Sequence, residues 1–219
     1  MKTINYQLLL FCITLLCSFY TLAVPNDCSD GQQYGYGKLF YNGVAHTNEA
    51  IYPLRMQQAY NAPDPINDNR IYKENSLQSH ALKIVIKAEE LEGNINVSVE
   101  NKSDKSIVIP KKNTAVEGRL SNPIFSITSG CIYLDYVGEL VNFGSVYQYP
   151  DDYVTIESDH KYETIVKLGR YYHFLPGVHA YEIFIPETPF YFKDKIGSGE
   201  LFVESNKIHI TITAPVKIN

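Results

Sequence analysis

The residues in this chain best suited to chemistry are histidines and paired carboxylates. His173 and His179 lie six residues apart across Pro176-Gly177, so a turn there could bring two imidazoles together as metal ligands. Six scattered histidines are explained more simply as surface and strand residues. The carboxylate pairs at 151–152 and 89–90 could serve calcium binding or general acid–base catalysis. No spaced acidic loop surrounds either pair, so we expect both in solvated turns.

Familiar catalytic and phosphate-binding motifs are absent from the sequence. It contains no His-Glu-x-x-His, no Gly-x-x-x-x-Gly-Lys and no Gly-x-Ser-x-Gly element. The glycine pairs at 35–37 and 197–199 are expected in tight turns, where glycine is favoured for its backbone freedom. The sequence therefore predicts a protein that is not an enzyme, with no catalytic residue, no cofactor and no metal. An enzyme of unrecognised type is the least favoured alternative.

The first 23 residues have the layout of a signal peptide. A positively charged start, an apolar run over 8–20 and small residues at 21 and 23 form the three expected parts. We expect cleavage after Ala23 and a secreted or periplasmic protein. Cys28 and Cys131 are then the two remaining cysteines, and in an oxidising compartment such a pair favours a disulfide. A metal site is the alternative, but no histidine lies near either cysteine in the sequence.

Charge and hydropathy exclude two classes of partner. The chain has 19 Lys and Arg against 24 Asp and Glu, a formal net charge of −5, and no basic stripe. Such a protein is a poor candidate for binding nucleic acid or an anionic membrane. The apolar run of residues 1–23 is too short and too interrupted to span a bilayer, so we expect no membrane association after cleavage.

The composition and patterning of the remaining chain indicate strands. Eighteen tyrosines, no tryptophan and many β-branched residues favour an all-β protein. Residues 24–80 are rich in Gly, Asn, Gln, Tyr and Pro and alternate little, which predicts an irregular N-terminal arm, with a helical turn or two conceivable over 48–60. Residues 81–219 show alternating runs separated by turn residues, which predicts an antiparallel, immunoglobulin-like β-sandwich. The predicted strands are 82–87, 94–100, 106–109, 124–128, 131–137, 153–156, 162–168, 180–185, 200–204 and 207–213.

Two segments have a composition suited to a binding surface: the tyrosine-rich arm at 24–79 and the loop at 144–152. Ordinary packing and turns are the alternative explanation for both. A rigid loop that fills a partner's cleft needs no catalytic residue and loses little entropy on binding. Most tyrosines of a sandwich nevertheless fill the edges of the core, with the hydroxyl at the rim. The candidate partner contacts are Tyr147, Tyr149, Asp151, Asp152 and Tyr153.

Two Asn-x-Ser sequons, at Asn96 and Asn101, match the N-glycosylation signal. They matter only in a host that glycosylates proteins, and Asn96 lies within a predicted strand.

Six short segments between Leu82 and Ala214 together form a recognisable pattern. They read INVSVENKSD (95–104), NTAVEG (113–118), FSI with YVG (125–127 and 136–138), PDDYVTI (150–156), a glycine and a tyrosine at 177 and 181, and SNKI (205–208). In this order they resemble the immunoglobulin-like domain that precedes the catalytic domain in secreted deuterolysin-type (aspzincin) zinc metallopeptidases. Residues 24–79 lie outside the resemblance. The chain departs from the family at Ala115, at 158–160 and at Lys167, where the family usually has a proline, a Pro-Gly turn and an acid.

The resemblance implies a role as well as a fold. The printed sequence ends at Asn219, where the family's metallopeptidase domain would begin, so we expect a free-standing relative of a prodomain without the zinc-binding helix. Such prodomains keep the protease inactive and help it fold, which implies a secreted inhibitor or chaperone of a metallopeptidase. Small bacterial proteinase inhibitors with an immunoglobulin-like sandwich are loosely similar at Asn-x-Ser-Asp and Gly-x-x-x-Tyr. The alternative is a secreted sandwich that binds a carbohydrate, a host surface or an envelope protein through tyrosine-rich loops.

Overall fold

The structure, a computed structural model, describes residues 33–41, 44–53, 80–89, 93–115, 118–138, 149–196 and 201–215. These residues form β-strands, short 3-10 turns and connections, and none of them lies in an α-helix. The chain divides into two compact units, Met1–Gly31 and Gln32–Asn219, and all the described strands belong to the second. They are β1 (Tyr34–Tyr41), β2 (Val44–Pro53), β3 (Leu82–Ala88), β4 (Asn94–Asn101), β5 (Ile107–Pro110), β6 (Ser126–Ser129), β7 (Ile132–Leu134), β8 (Tyr153–Ile156), β9 (Lys161–Lys167), β10 (Gly177–Phe184), β11 (Thr188–Phe192), β12 (Leu201–Val203) and β13 (Ile208–Ala214).

One face of the sandwich is an antiparallel sheet in the order β3-β4-β9. Buried apolar residues alternate with more exposed residues along β3 and β4, so one face of each strand is buried and the other is solvated. The register aligns the two apolar rows, because Ile86 lies opposite Val97 and Ile84 opposite Val99. All four of these side chains are buried and contribute to the core.

The second sheet has the order β13-β10-β6-β7-β1-β2. Its first four strands have the G-F-C-C′ order of an immunoglobulin domain, and β3-β4-β9 has the A-B-E order. Ile208, Ile210 and Ile212 alternate with exposed residues along β13; Ile212 is buried, and Ile208 and Ile210 are half-buried. The protein is therefore an all-β sandwich of the immunoglobulin type.

A tyrosine on β10 ties that strand to the preceding loop. Tyr181 is buried, and its hydroxyl accepts a hydrogen bond of 2.9 Å from the backbone N–H of Leu175. A tyrosine at this strand that bonds back to the upstream backbone is the tyrosine corner of immunoglobulin-like sandwiches. Burial raises the pKa of Tyr181 to about 12.

A third sheet, in the order β12-β11-β5-β8, adjoins the sandwich. Asn101, at the end of β4, is fully buried and binds the end of β8: its Nδ2 lies 2.9 Å from Ile156 O and 3.1 Å from Glu157 O. Its Oδ1 accepts a hydrogen bond of 2.9 Å from the N–H of Ser103. This second sequon asparagine is therefore a structural link between two sheets.

The N-terminal segment differs from the irregular arm expected over 24–80. Residues 34–53 include β1 and β2, an antiparallel pair, and β1 also pairs in parallel with β7. The helical turns expected from residue 48 are wrong as far as Pro53, because these residues lie in β2. The remainder of that segment, apart from Gln33 and His80, lies outside the described residues.

The glycines at 35 and 37 lie in β1 and not in the tight turn that the sequence suggested. Gly37 has a φ of +155°, and the β1–β2 register shifts just after it. A Cβ at this position would lie 2.6 Å from the Cβ of Asp135, so the close approach of β1 to the end of β7 requires glycine. Glycine and tyrosine thus replace the apolar alternation that would have identified this strand.

One further strand, β11, was not predicted, because Pro189 interrupts its pattern. No helix of the part that the structure describes is long and apolar enough to cross a membrane.

Candidate functional site

The candidate partner contacts lie on the turn that leads into β8. Tyr149 is 41% exposed, Asp151 is exposed and Asp152 is half-buried. Tyr153, the first residue of β8, is only 9% exposed. Tyr147 lies outside the described residues. The structure therefore separates the candidates into an exposed group on the turn and a buried tyrosine beneath it.

Backbone hydrogen bonds hold this turn to the neighbouring sheet. The N–H of Tyr153 donates to Pro150 O at 3.1 Å, which closes the turn. The N–H of Lys111 donates to Asp152 O at 2.8 Å, next to the point where Pro110 pairs with Tyr153 across β5 and β8. Both ends of the 150–153 turn are thus fixed to regular structure.

Three tyrosine rings contact one another in sequence at the exposed end of the turn: Tyr149, Tyr153 and Tyr191. We call them the tyrosine row. The ring centroids of Tyr149 and Tyr153 are 6.1 Å apart, with planes inclined at 54°. Those of Tyr153 and Tyr191 are 6.3 Å apart at 75°, an edge-to-face contact. Tyr149 therefore presents a ring that already rests on a packed aromatic base, and its ordering on binding costs little entropy.

Tyr191 is the member of the tyrosine row that sequence reasoning missed. It lies on β11 and pairs with Val108 of β5. Pro189 interrupts the alternating pattern of this strand, so the sequence does not predict β11. Nothing in the sequence around Tyr191 therefore predicts that it lies beside Tyr153.

A charged cluster lies at the opposite end of the third sheet. Lys105 Nζ is 3.0 Å from Asp194 Oδ2, and this hydrogen bond holds the pKa of Asp194 below its ordinary value. Lys105 Nζ is also 5.9 Å from the centroid of the Phe192 ring. Because both members of the ion pair are more than half exposed, the pair binds weakly and is screened by salt. It offers no enclosed site for a ligand.

A shallow cavity of about 370 Å³ lies beside the start of β3. His80, Lys83, Lys102 and Glu204 are among its lining residues. The Nζ of Lys102 is already 2.5 Å from Glu100, and this hydrogen bond lowers the pKa of the Glu100 carboxyl. The cavity is thus lined by side chains of both charges, and this lining does not favour one class of ligand.

One ring nitrogen of His179 is bonded to the backbone of the turn that precedes it. The Nε2 of His179 is 2.9 Å from Pro176 O, and a nitrogen in such a hydrogen bond carries a proton and has no lone pair for a metal. The described residues include no group of three or more His, Cys, Asp and Glu side chains that could hold a metal ion.

The remaining sequence candidates are dispersed. Cys131 is buried, between β6 and β7, and its carbonyl accepts a hydrogen bond of 2.9 Å from the N–H of Tyr34. Cys28 lies outside the described residues, so its pairing with Cys131 stays a prediction. The N–H of Glu89 donates to Asn94 O at 3.0 Å, and Glu90 lies outside the described residues.

Comparison with known proteins assigns no family. No protein-family model matches the chain, and no curated protein matches it. The resemblance of residues 82–214 to a metallopeptidase prodomain therefore stays a prediction.

Proposed function

We propose that this protein is a secreted, non-catalytic binding protein that inhibits or chaperones a zinc metallopeptidase. The observation that carries the proposal is the tyrosine row, in which the exposed ring of Tyr149 contacts the buried ring of Tyr153, which in turn contacts the half-buried ring of Tyr191. Aromatic side chains seated on rigid supports are the residues that most often dominate the energy of a protein interface.

The carboxylates of the same turn suit this class of partner. A catalytic zinc ion keeps one coordination position open for water or substrate, and an oxygen ligand can fill it. Asp151 is the exposed carboxylate of the turn, two residues from Tyr149. In the proposed complex Tyr149 packs in the substrate cleft while Asp151 faces the metal.

The fold is compatible with the resemblance that suggests the partner. A prodomain of the deuterolysin type implies an immunoglobulin-like sandwich over residues 82–214, and the strand order described above is of that type. One of the six matching segments, 150–156, includes most of the candidate turn.

The signal peptide and the disulfide belong to the same proposal. The N–H of Tyr34 is bonded to the Cys131 carbonyl, and Cys28 precedes Tyr34 by six residues, which span at most about 20 Å of extended chain. A bridge between Cys28 and Cys131 is therefore within reach of the chain. In the purified secreted protein, titration should find no free thiol, and N-terminal sequencing should find Val24 first.

Inhibition of a purified deuterolysin-type protease tests the proposal. We expect saturable inhibition by the wild-type protein and at least tenfold weaker inhibition by Tyr149→Ala, as for a central aromatic anchor. Tyr162→Ala is the matched control, because Tyr162 on β9 is 42% exposed, almost the same as Tyr149. No inhibition, or equal losses from the two variants, would contradict the proposal.

A carbohydrate-binding module is the second candidate, and the same turn favours it. An exposed aromatic ring with carboxylates beside it can stack on the apolar face of a sugar while the carboxylates accept hydrogen bonds from its hydroxyls. Binding to a glycan array that is lost in Tyr149→Ala, with no effect on the protease, would identify this function instead.

A further inference from the structure

Strand β9 is an edge strand with an unusually exposed apolar content. It is the last strand of the β3-β4-β9 sheet, and β4 is its only partner among the described strands. Tyr162 is 42% exposed and Ile165 is 51% exposed. Of the large hydrophobic side chains that are exposed in the described part of the chain, which are Tyr149, Tyr162, Ile165 and Val178, two lie on this strand.

The hydrogen-bond pattern shows which backbone groups of β9 face outward. At its two ends, the N–H of Leu168 donates to Gly93 O at 2.9 Å and the N–H of Asn101 donates to His160 O at 3.0 Å. In an antiparallel ladder every second residue pair exchanges hydrogen bonds, so the even-numbered residues 160–168 direct their backbone groups toward β4. The odd-numbered residues direct theirs away from it: Lys161, Glu163, Ile165 and Lys167.

These outward-facing groups form a row open to a new strand. All four residues are exposed, and the structure gives their backbone N–H and C=O groups no hydrogen-bond partner within the described ranges. A row of unpaired backbone groups along a sheet edge is a template for pairing with another strand. The side chains of the same four residues lie together on the solvent face, because alternate residues of a strand share a face.

We propose that β9 pairs with β9 of a second copy of this chain, antiparallel across a two-fold axis at Ile165. In this register Ile165 of one copy lies opposite Ile165 of the other, and Glu163 lies opposite Lys167 on both sides of the axis. The pairing joins two three-stranded sheets into one continuous six-stranded sheet. It gives the outward-facing groups of residues 163–167 partners and covers the exposed Ile165.

The order of charges selects this register over its neighbours. An axis at Glu163 places two carboxylates opposite each other, and an axis at Thr164 places Lys161 opposite Lys167. Like charges directly opposite each other destabilise an antiparallel pair, whereas opposite charges and apolar pairs stabilise it. Only the axis at Ile165 has an apolar pair at its centre and an oppositely charged pair on each side.

The existing ion pair on β9 is compatible with this arrangement. Lys161 Nζ lies 2.5 Å from Glu163 Oε1, and both side chains are about half exposed. Since such a surface pair binds weakly in water, Glu163 remains able to face Lys167 of the second copy. The interface is self-complementary, as a two-fold contact between identical chains must be.

Charge reversal in single and double variants tests the proposal by sedimentation over a range of protein concentrations. We expect the wild-type chain to form dimers as its concentration rises. Glu163→Lys and Lys167→Glu each replace two attractive pairs with two repulsive ones, so each should weaken the dimer about tenfold or more. The double variant restores opposite charges at both positions and should regain the wild-type dissociation constant. Asp104→Lys, on an exposed turn, is the matched control for a change of charge alone.

Hydrogen exchange of the wild-type protein gives an independent readout. At high concentration the amides of Glu163, Ile165 and Lys167 should become protected, while those of Thr164 and Val166 are protected at every concentration. A chain that stays monomeric, a dimer indifferent to both single variants, or a double variant no better than either single one would overturn the proposal. Binding of an unrelated extended peptide to β9, without dimers, would overturn it as well.

Discussion

The side-chain amide of Asn206 pairs with both backbone polar groups of Ile86. The N–H of Ile86 donates to Asn206 Oδ1 at 2.8 Å, and Asn206 Nδ2 donates to Ile86 O at 3.0 Å. Ile86 lies within β3, the other edge strand of the three-stranded sheet. A single side chain therefore takes the place of a neighbouring strand at this point. The two edges of the same sheet thus differ, because the backbone of β3 is bonded to a side chain at Ile86, while no described residue bonds to the outward-facing backbone groups of β9.

Replacement of Asn206 by alanine should destabilise the sandwich. The variant leaves a backbone N–H and a C=O of Ile86 without these partners, which costs about 1–3 kcal/mol in the free energy of unfolding. Urea denaturation measures this loss. Asn206→Asp is the informative control, because a carboxylate still accepts from the Ile86 N–H but cannot donate to the carbonyl. It should therefore be intermediate, and a value equal to the wild type would contradict this role.

Asn101 and Asn96 should respond differently to the same substitution. Asn101 is fully buried and its amide reaches the backbone of β8, so Asn101→Ala should cost about 2–4 kcal/mol in unfolding free energy. Asn96 is half-buried on β4, and Asn96→Ala should change stability by about 0.5 kcal/mol or less. In a host that glycosylates proteins, peptide mapping of the folded protein should find no glycan on Asn101. A folded protein glycosylated at that residue would contradict the structure.

Two buried tyrosines should make the fold sensitive to alkali. Burial raises the pKa of Tyr181 to about 12, and burial also raises the pKa of Tyr172 above its ordinary value. Phenols with a raised folded pKa stabilise the protein fully below the unfolded value of about 10, and this contribution is lost as the pH rises above it. We therefore expect the free energy of unfolding to fall as the pH rises from about 10 to about 12.

Phenolate absorbance measures the ionisation of the tyrosines, and circular dichroism recorded on the same samples measures the loss of folded structure. Tyr172→Phe removes one of the two groups and should make stability fall less steeply with pH, even if the variant is less stable near neutrality. Ionisation of every tyrosine near pH 10 in a protein that stays folded would contradict the prediction.

Gly37→Ala should release the N-terminal hairpin from β7. The added Cβ would lie 2.6 Å from the Cβ of Asp135, and the backbone at Gly37 has a φ of +155°. We expect the free energy of unfolding to fall by about 1–3 kcal/mol, with a larger loss of protection in β1 than in the three-stranded sheet. Exchange of the Asp135 amide, which donates to Tyr36 O at 2.8 Å, reports it directly. Gly169→Ala is the control, since its Cβ would meet no atom within 4 Å.

Alanine substitutions at Tyr153 and Tyr149 should have different effects on stability, because the first residue supports the turn and the second is exposed for contact with a partner. Tyr153 is buried beneath the turn, so Tyr153→Ala should cost about 3 kcal/mol in unfolding free energy. Tyr149→Ala removes an exposed ring and should cost about 1 kcal/mol or less. Thermal unfolding of the two variants measures the difference. Equal losses would mean that Tyr149 is part of the core and not a contact residue.

Sequence reasoning succeeded where one face of a strand carries an apolar row. Strands β4 and β13 alternate strictly and β3 does so except at Val85, and that period of two is a local property of the chain. It failed for β1, where glycine and tyrosine occupy the strand, and for β11, which contains Pro189. Each of these strands has one partner next to it in the chain and one partner distant in the sequence, β7 for β1 and β5 for β11, and the distant partner cannot be read from a local pattern.

The candidate turn was predicted in the same partial way. Exposed tyrosine and aspartate are visible in the sequence, and Tyr149 and Asp151 are indeed exposed. The burial of Tyr153 and its contact with Tyr191 depend on the pairing of β5 with both β8 and β11. The spacing of residues within one strand does not predict which residue of another strand lies opposite.

The parallel pairing of β1 with β7 sets an order of assembly. It joins residues 34–36 to residues 132–134, so nearly a hundred residues must be in place before the contact can close. The β3–β4 and β6–β7 pairs connect residues close in the chain, and such local contacts form sooner than distant ones. During synthesis, residues 34–53 therefore emerge long before their partner strand. A ribosome-bound chain that ends before residue 132 should leave the amide of Tyr34 open to exchange, and a longer one should protect it.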